Sequence, residues 1–200
     1  MADEIKVGQS AVRLVKGDIT LLEVDAFVFY ARPDLQLGSG FGTAITLRGG
    51  PPVQEDLKKA ATPVAATQAV ITTAGNLPAK HIIHVVGPRF QEEDTEAKLR
   101  ASVVSAMRLA DQHDLKRVAL PAMGAGFYGV PLDMCARVML ETIRAYLAGP
   151  TGIEEALVCV LDSREMKPFE AKLADMVKKA GASAEPQANR QAHAAAGIGT

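Results

Sequence analysis

Tryptophan is absent from this 200-residue chain, and aromatic residues make up only 4% of it, so alanine, valine and leucine must supply most of any core. Cysteine is scarce: Cys135 and Cys159 are the only two, with no CxxC pair. That excludes a disulfide framework and a cysteine-based zinc site, and it suits a reducing, cytoplasmic setting. Net charge is nearly absent, with 22 basic against 23 acidic residues, so no overall field steers the chain to nucleic acid or membrane. No basic nucleic-acid patch stands out. Apolar runs stay well short of the roughly 18–20 residues that a membrane span requires. The opening MADEIKVGQS has an acidic pair and no apolar core, so it does not read as a secretory signal. Of the four histidines, His81, His84, His113 and His193, no two stand at a metal-binding spacing such as i, i+4.

What is present is a globular composition, 48% hydrophobic and 22% charged. The length suits one domain, or one domain with a tail, and such a domain needs no covalent staples. Short β-branched runs predict strands at Ala11–Lys16, Ala26–Ala31, Gln68–Thr73, His81–Val86, Arg117–Leu120 and Leu157–Leu161. Most are continuously apolar, as in FVFYA and IIHVV, which is how a strand covered on both faces reads. Helical spacing of apolar residues predicts helices over Thr95–His113 and Pro131–Leu147, with Pro131 in a first turn, where proline is tolerated. A last helix is expected over Glu165–Ala180, stopped by Gly181. The alternation implies an α/β fold with a mixed or parallel sheet between helices, over residues 1–180. Small and polar residues dominate 181–200, which read as a mobile tail. The acidic stretch Gln91–Glu96 suits the positive end of the helix it precedes.

Two glycine-rich loops each follow a buried strand. The first is Leu37-Gly38-Ser39-Gly40-Phe41-Gly42, and the second runs from Pro121 to Pro131 through Gly124, Ala125, Gly126, Phe127, Tyr128 and Gly129. Glycine lets successive backbone N–H groups converge on one anion, and a helix starting just beyond adds its own unpaired donors. Open α/β sheets bind ligands in the crevice at the strand ends, so a diphosphate held between the loops is the natural ligand class. Gly124–Gly129 also fits G-x-G-x-x-G. The dinucleotide fingerprint, however, belongs in the first strand–helix unit with an acid about 20 residues on. Here it falls late, and Asp133 and Glu141 lie in the following helix, which disfavours a dehydrogenase. Asp18, in Gly17-Asp18-Ile19-Thr20, is by its residue type a helix N-cap or turn former first. A carboxylate at a strand end also suits an exocyclic adenine amine.

Taken in order and spacing, these pieces resemble the macro domain, a module that binds ADP-ribose, over roughly residues 10–180. The matching strings are Gly17–Thr20, Asp25–Val28, Gly38–Phe41, Ile82–Pro88 and Pro121–Pro131. The resemblance implies a three-layer α/β/α sandwich with a central mixed sheet and ADP-ribose, free or carried on a macromolecule, in a surface cleft. It implies that Asp18 holds the adenine amine, that the Ile19 amide takes another ring position, and that Leu161 covers the ring where the family often has Phe or Tyr. Gly38, Ser39, Gly40 and Phe41 would face Gly124, Ala125, Gly126, Phe127 and Tyr128 across the diphosphate and distal ribose.

The departures bear on activity. The hydrolytic branch has Asn-Ala-Ala-Asn where this chain has Phe29-Tyr30-Ala31-Arg32. It has Asp and His where Gly42 and Thr46 stand. Hydrolysis needs a water held against the anomeric carbon, and Arg32 is a fixed cation with no basic form. Arg32 is either a surface residue or a charged contact to the ligand, and Tyr128 either packs its loop or covers the distal ribose. His84 reads as a core histidine, and the cysteines read as small core hydrophobes. The expectation is a monomeric ADP-ribose binder with no catalytic residue, no cofactor and no metal. An ADP-ribosyl hydrolase with a non-standard site, or another nucleotide-handling enzyme, stands as the alternative.

Overall fold

The computed structural model describes residues 3–126 and 128–184. Phe127 and the segment 185–200 lie outside the described residues. Seven strands, β1 (Glu4–Val7), β2 (Ser10–Lys16), β3 (Ala26–Ala31), β4 (Ala69–Thr73), β5 (His81–Val86), β6 (Arg117–Pro121) and β7 (Glu155–Val160), form one mixed sheet. Their order is β1-β2-β7-β6-β3-β5-β4. The five inner strands run parallel, while the edge strands β1 and β4 pair antiparallel with β2 and β5. Five α-helices cover the faces: α1 (Phe41–Gly49), α2 (Pro51–Lys59), α3 (Thr95–Gln112), α4 (Leu132–Leu147) and α5 (Ser163–Ala184). This is the three-layer α/β/α sandwich that the sequence implies.

Strand alternation divides the core in two. Ala26 and Val28 of β3 turn to the face packed by Leu99, Met107, Met139, Ile143 and Phe169 of α3, α4 and α5. Phe27 and Phe29 turn to the other face, against Ile45, Val53 and Leu57 of α1 and α2. Burial on both sides is why these strands read as unbroken apolar runs. Asp25 has a structural role at the opposite edge from the glycine loops: its carboxylate accepts from the amides of Lys116 and Arg117, both at 2.9 Å, and from Lys80 at 2.7 Å.

Three features escape the sequence reading. β1 is four residues long and pairs only with β2. α1 and α2 form a short pair broken at Gly50, whose φ of 72° ends one helix while Pro51 starts the next. The last helix does not stop at Gly181 but runs to Ala184. Glycine costs roughly 1 kcal/mol in a helix, and the alanines around Gly181 are strong enough helix formers to carry the chain across it.

His84 is fully buried on β5, bonded through Nε2 to Thr72 Oγ1 at 2.9 Å and set edge-on to Phe29. Its Nδ1 has no hydrogen-bond partner among the described residues. Burial pushes the imidazole down to about 4. Between that value and the unfolded pKa of about 6.5, the unfolded chain takes up a proton that the folded chain refuses. Stability therefore falls as pH falls through this window. From neutral pH to about pH 4.5 the loss attributable to His84 is about 2–3 kcal/mol. Urea unfolding at both pH values should show that increment in the wild type and not in His84→Leu; an equal slope in the two proteins would place the linkage elsewhere.

Candidate functional site

Because the five inner strands are parallel, their carboxyl ends share one edge of the sheet. Along that edge stand, in spatial order, Asp18 after β2, Leu161 after β7, the second glycine loop after β6, Arg32 and the first glycine loop after β3, and Gly87-Pro88 after β5. Sheet order thus brings together residues separated by more than a hundred positions in the chain.

Asp18 caps a 3₁₀ turn, Ile19–Leu21, through Oδ1, which accepts from the Thr20 amide at 3.0 Å and the Thr20 hydroxyl at 2.6 Å. Its Oδ2 accepts from Nη1 of Arg48, which also donates to Thr20 Oγ1. Partial burial raises the Asp18 pKa, but the bonds from Thr20 and Arg48 outweigh burial and hold it below its usual value, so it stays ionised. Both readings of Asp18 are therefore available to one side chain, since a cap uses one oxygen and leaves the other facing Arg48. Ile19 is buried, and its amide has no acceptor among the described residues. Leu161 is 69% exposed at the end of β7.

The first loop is shaped by Gly38 (φ 68°) and Gly40 (φ 62°), conformations that other residues adopt only with strain. The amides of Gly38, Ser39 and Gly40 make no hydrogen bond among the described residues. Gly40 is the N-cap of α1 and supplies no side-chain acceptor, so the first amides of that helix are unpaired as well among the described residues. In the second loop Ala125 N donates to Ala122 O, Gly129 N to Gly126 O and Val130 N to Gly124 O. This internal turn leaves the Gly124 and Gly126 amides without an acceptor among the described residues. A Cβ on Gly126 would meet nothing within 4 Å, whereas one on Gly124 (φ 78°) would come within 2.8 Å of Val130 Cγ2. Gly126 thus borders open space, and its backbone lies outside the left-handed region.

The sequence reading missed Tyr30. Its ring fills the gap between the strand ends, close enough that a Cβ on Gly87 would lie 2.3 Å from it. Its hydroxyl donates to Pro88 O, and its ring centroid is 4.9 Å from that of Tyr128. Burial raises the Tyr30 phenol far above its ordinary value. Tyr128 is half-buried, which raises its phenol, while Arg89 and Arg32 nearby act in the opposite direction. Arg32 is exposed and paired with Asp34 at 2.9 Å. Phe29, at the first position of the asparagine pattern, is buried edge-on to Phe41 (5.2 Å) and His84 (5.9 Å). Thr46 donates to Gly42 O within α1. Gly42 itself is packed so closely that a Cβ there would sit 1.6 Å from the Leu37 carbonyl oxygen. Nothing in the glycine loops signalled Arg48 or Tyr30, because their partners, Asp18 for Arg48 and Pro88 and Tyr128 for Tyr30, lie in segments distant in sequence.

A groove of about 890 Å³ lies elsewhere, between the start of β4 and α3, lined in part by Gln68, Ala97, Arg100 and Val104. It contains none of the candidate ligand-binding residues that the sequence singles out. The glycine-loop edge is the stronger candidate because its polar groups converge, whereas the groove is a broad furrow beside an edge strand. Among the described residues no group of three or more His, Cys, Asp or Glu side chains is placed to hold a metal ion, and no helix is long and apolar enough to cross a membrane.

Comparison with known proteins agrees with the fold. The family model for the macro domain matches residues 31–139. A macro domain-containing protein of Caldanaerobacter subterraneus is 33% identical over 174 residues, covering 84% of this chain and 98% of its own length. A macro domain-containing protein of Streptomyces griseus is 38% identical over 173 residues, covering 82% and 94%. Among solved structures, the Oceanobacillus iheyensis macrodomain with ADP aligns with a TM-score of 0.84 at 24% identity, over 88% of this chain and 96% of that one. A Trypanosoma brucei macrodomain in complex with ADP-ribose aligns with a TM-score of 0.76 at 24% identity, over 81% and 68%. The chain belongs to the macro domain family.

Proposed function

We propose that this protein binds ADP-ribose, free or attached to a macromolecule, along the carboxyl edge of its sheet, and that it does not hydrolyse it. The observation that carries the reading is the pair of glycine loops on adjacent strands, each with backbone amides that have no acceptor of their own. Convergent amides with helix N-termini behind them suit a diphosphate. In this reading the Asp18 carboxylate and the Ile19 amide take the adenine edge, and Leu161 covers the ring. Gly38, Ser39, Gly40 and Phe41 lie on one side of the diphosphate and distal ribose, and Gly124, Ala125, Gly126 and Tyr128 on the other. Arg32 adds a charge-assisted contact at the outer end once its exposed pairing with Asp34 is exchanged for a ligand oxygen. Ligands described for structural relatives, ADP and ADP-ribose, fall in the same chemical class.

The case against hydrolysis rests on chemistry at three positions. Phe29 is buried among aromatic rings, Thr46 spends its hydroxyl on the helix backbone, and Gly42 has no room for a carboxylate. None of the three can deprotonate a water, and Arg32 cannot act as a base.

Titration calorimetry with ADP-ribose, ADP, AMP and NAD tests the reading. Asp18→Ala should weaken ADP-ribose by about 1–3 kcal/mol, the range for losing a hydrogen bond to a charged group. Because Asp18 also caps the turn, Asp18→Asn, which keeps an acceptor for the Thr20 amide but loses the charge, separates capping from ligand recognition. Wild-type affinity in a folded Asp18→Ala protein would leave Asp18 as a cap alone.

A further inference from the structure

We propose that Arg48 broadens purine specificity, setting a side-chain donor beside the Asp18 carboxylate so that the base site takes 6-oxo purines as well as adenine. The inference rests on the reading that the base lies at Asp18. Arg48 reaches from the last turn of α1 across to the turn after β2, thirty residues earlier in the chain, and its Nη1 bridges Asp18 Oδ2 and Thr20 Oγ1. Thr20 in turn occupies Asp18 Oδ1 with both its amide and its hydroxyl. The oxygen left to a ligand is therefore Oδ2, and it stands beside a guanidinium.

An ionised carboxylate is an acceptor and nothing else. Alone, it favours the 6-amino group of adenine and repels the 6-oxo group of hypoxanthine or guanine. A guanidinium carries five N–H donors in a planar fork, and only Nη1 of Arg48 is engaged among the described residues. Nε and Nη2 remain to donate. Acceptor and donor side by side complement adenine, which offers a 6-amino donor and the N1 acceptor. They equally complement hypoxanthine, which offers a 6-oxo acceptor and the N1–H donor, with the roles of the two side chains exchanged. Arg48 is 45% exposed and Asp18 33%, so the fork has room to change sides of the carboxylate. The surrounding wall, Ile19 below and Leu161 beside it, is apolar and indifferent to which purine lies against it.

The test compares ADP-ribose with its inosine counterpart by calorimetry, in the wild type and in Arg48→Ala. The wild type should bind the two within about fivefold of each other, and Arg48→Ala should weaken the inosine ligand by at least about tenfold more than it weakens ADP-ribose, because adenine then loses one contact whereas the 6-oxo group is left facing a bare carboxylate. Arg48 is exposed at a helix end, so the variant should unfold at the wild-type temperature, which confines the effect to the site. An inosine-to-adenine preference unchanged by Arg48→Ala would overturn the proposal, as would a wild type that rejects the inosine ligand by more than about a hundredfold. Failure of the wild type to bind ADP-ribose at all is a different result: it would overturn the base-site assignment itself, and this inference with it.

Discussion

Gly126→Val should lose ADP-ribose binding by about 4 kcal/mol, close to a thousandfold, while unfolding at nearly the wild-type temperature. The magnitude is that of two or three charge-assisted hydrogen bonds from loop amides to phosphate, displaced by a branched side chain. Retention of the fold follows from geometry. A Cβ at Gly126 meets no atom within 4 Å, and the residue is not in the left-handed region. Gly124→Val is the contrasting variant: its φ of 78° and a Cβ contact of 2.8 Å with Val130 Cγ2 make it destabilising whether or not ligand binds. Calorimetry and thermal unfolding on the two variants check the pair of outcomes. Retained affinity in Gly126→Val would remove the second loop from the phosphate site.

Gly42→Asp should destabilise the protein by more than about 4 kcal/mol and should confer no hydrolase activity. The hydrolytic branch of the family is expected to carry aspartate at this position. Here the backbone of Leu37 occupies the place of the side chain, with its carbonyl oxygen 1.6 Å from a built Cβ. Backbone cannot yield as a side-chain tip can, so the first loop or the start of α1 must move. Phe29, wedged between Phe41 and His84, anchors the strand end under that same loop and resists such a shift. Equilibrium unfolding measures the cost, and release of ADP-ribose from a mono-ADP-ribosylated aspartate or glutamate substrate measures the activity. Multiple turnovers by the wild type would overturn the binder reading. A stable, folded but inactive Gly42→Asp protein would show that chemistry at Arg32 and Phe29, and not loop spacing, separates this chain from the hydrolases.

Local pattern determined much of the fold. β3 and β5 lie where their apolar runs placed them, Ala26–Ala31 and His81–Val86, because residues buried on both faces leave a continuous signal. α3 and α4 follow their helical spacing to within a residue at each end. The glycine loops and Asp18 were legible too, since unusual backbone demands unusual residues. β1 was not legible: four residues carry too little periodicity, and the strand exists through its pairing with β2. α1 was hidden because Gly42, Thr43, Thr46 and Gly49 dilute its pattern. The two glycines are required by close contact with Leu37 and Ala74, which only the packed structure reveals.

The same division runs through the site. Sequence alone determined which segments have amides to offer and which polar positions of the hydrolytic pattern are missing. Tertiary structure decided which side chains share space with them: Arg48 on Asp18, Tyr30 between Gly87 and Gly124, and Arg89 near Tyr128. Periodicity and turn chemistry are local and survive in the one-dimensional string. Charge pairing and steric exclusion depend on distances across the sheet, and those are set by the strand order β2-β7-β6-β3-β5, which no local pattern encodes.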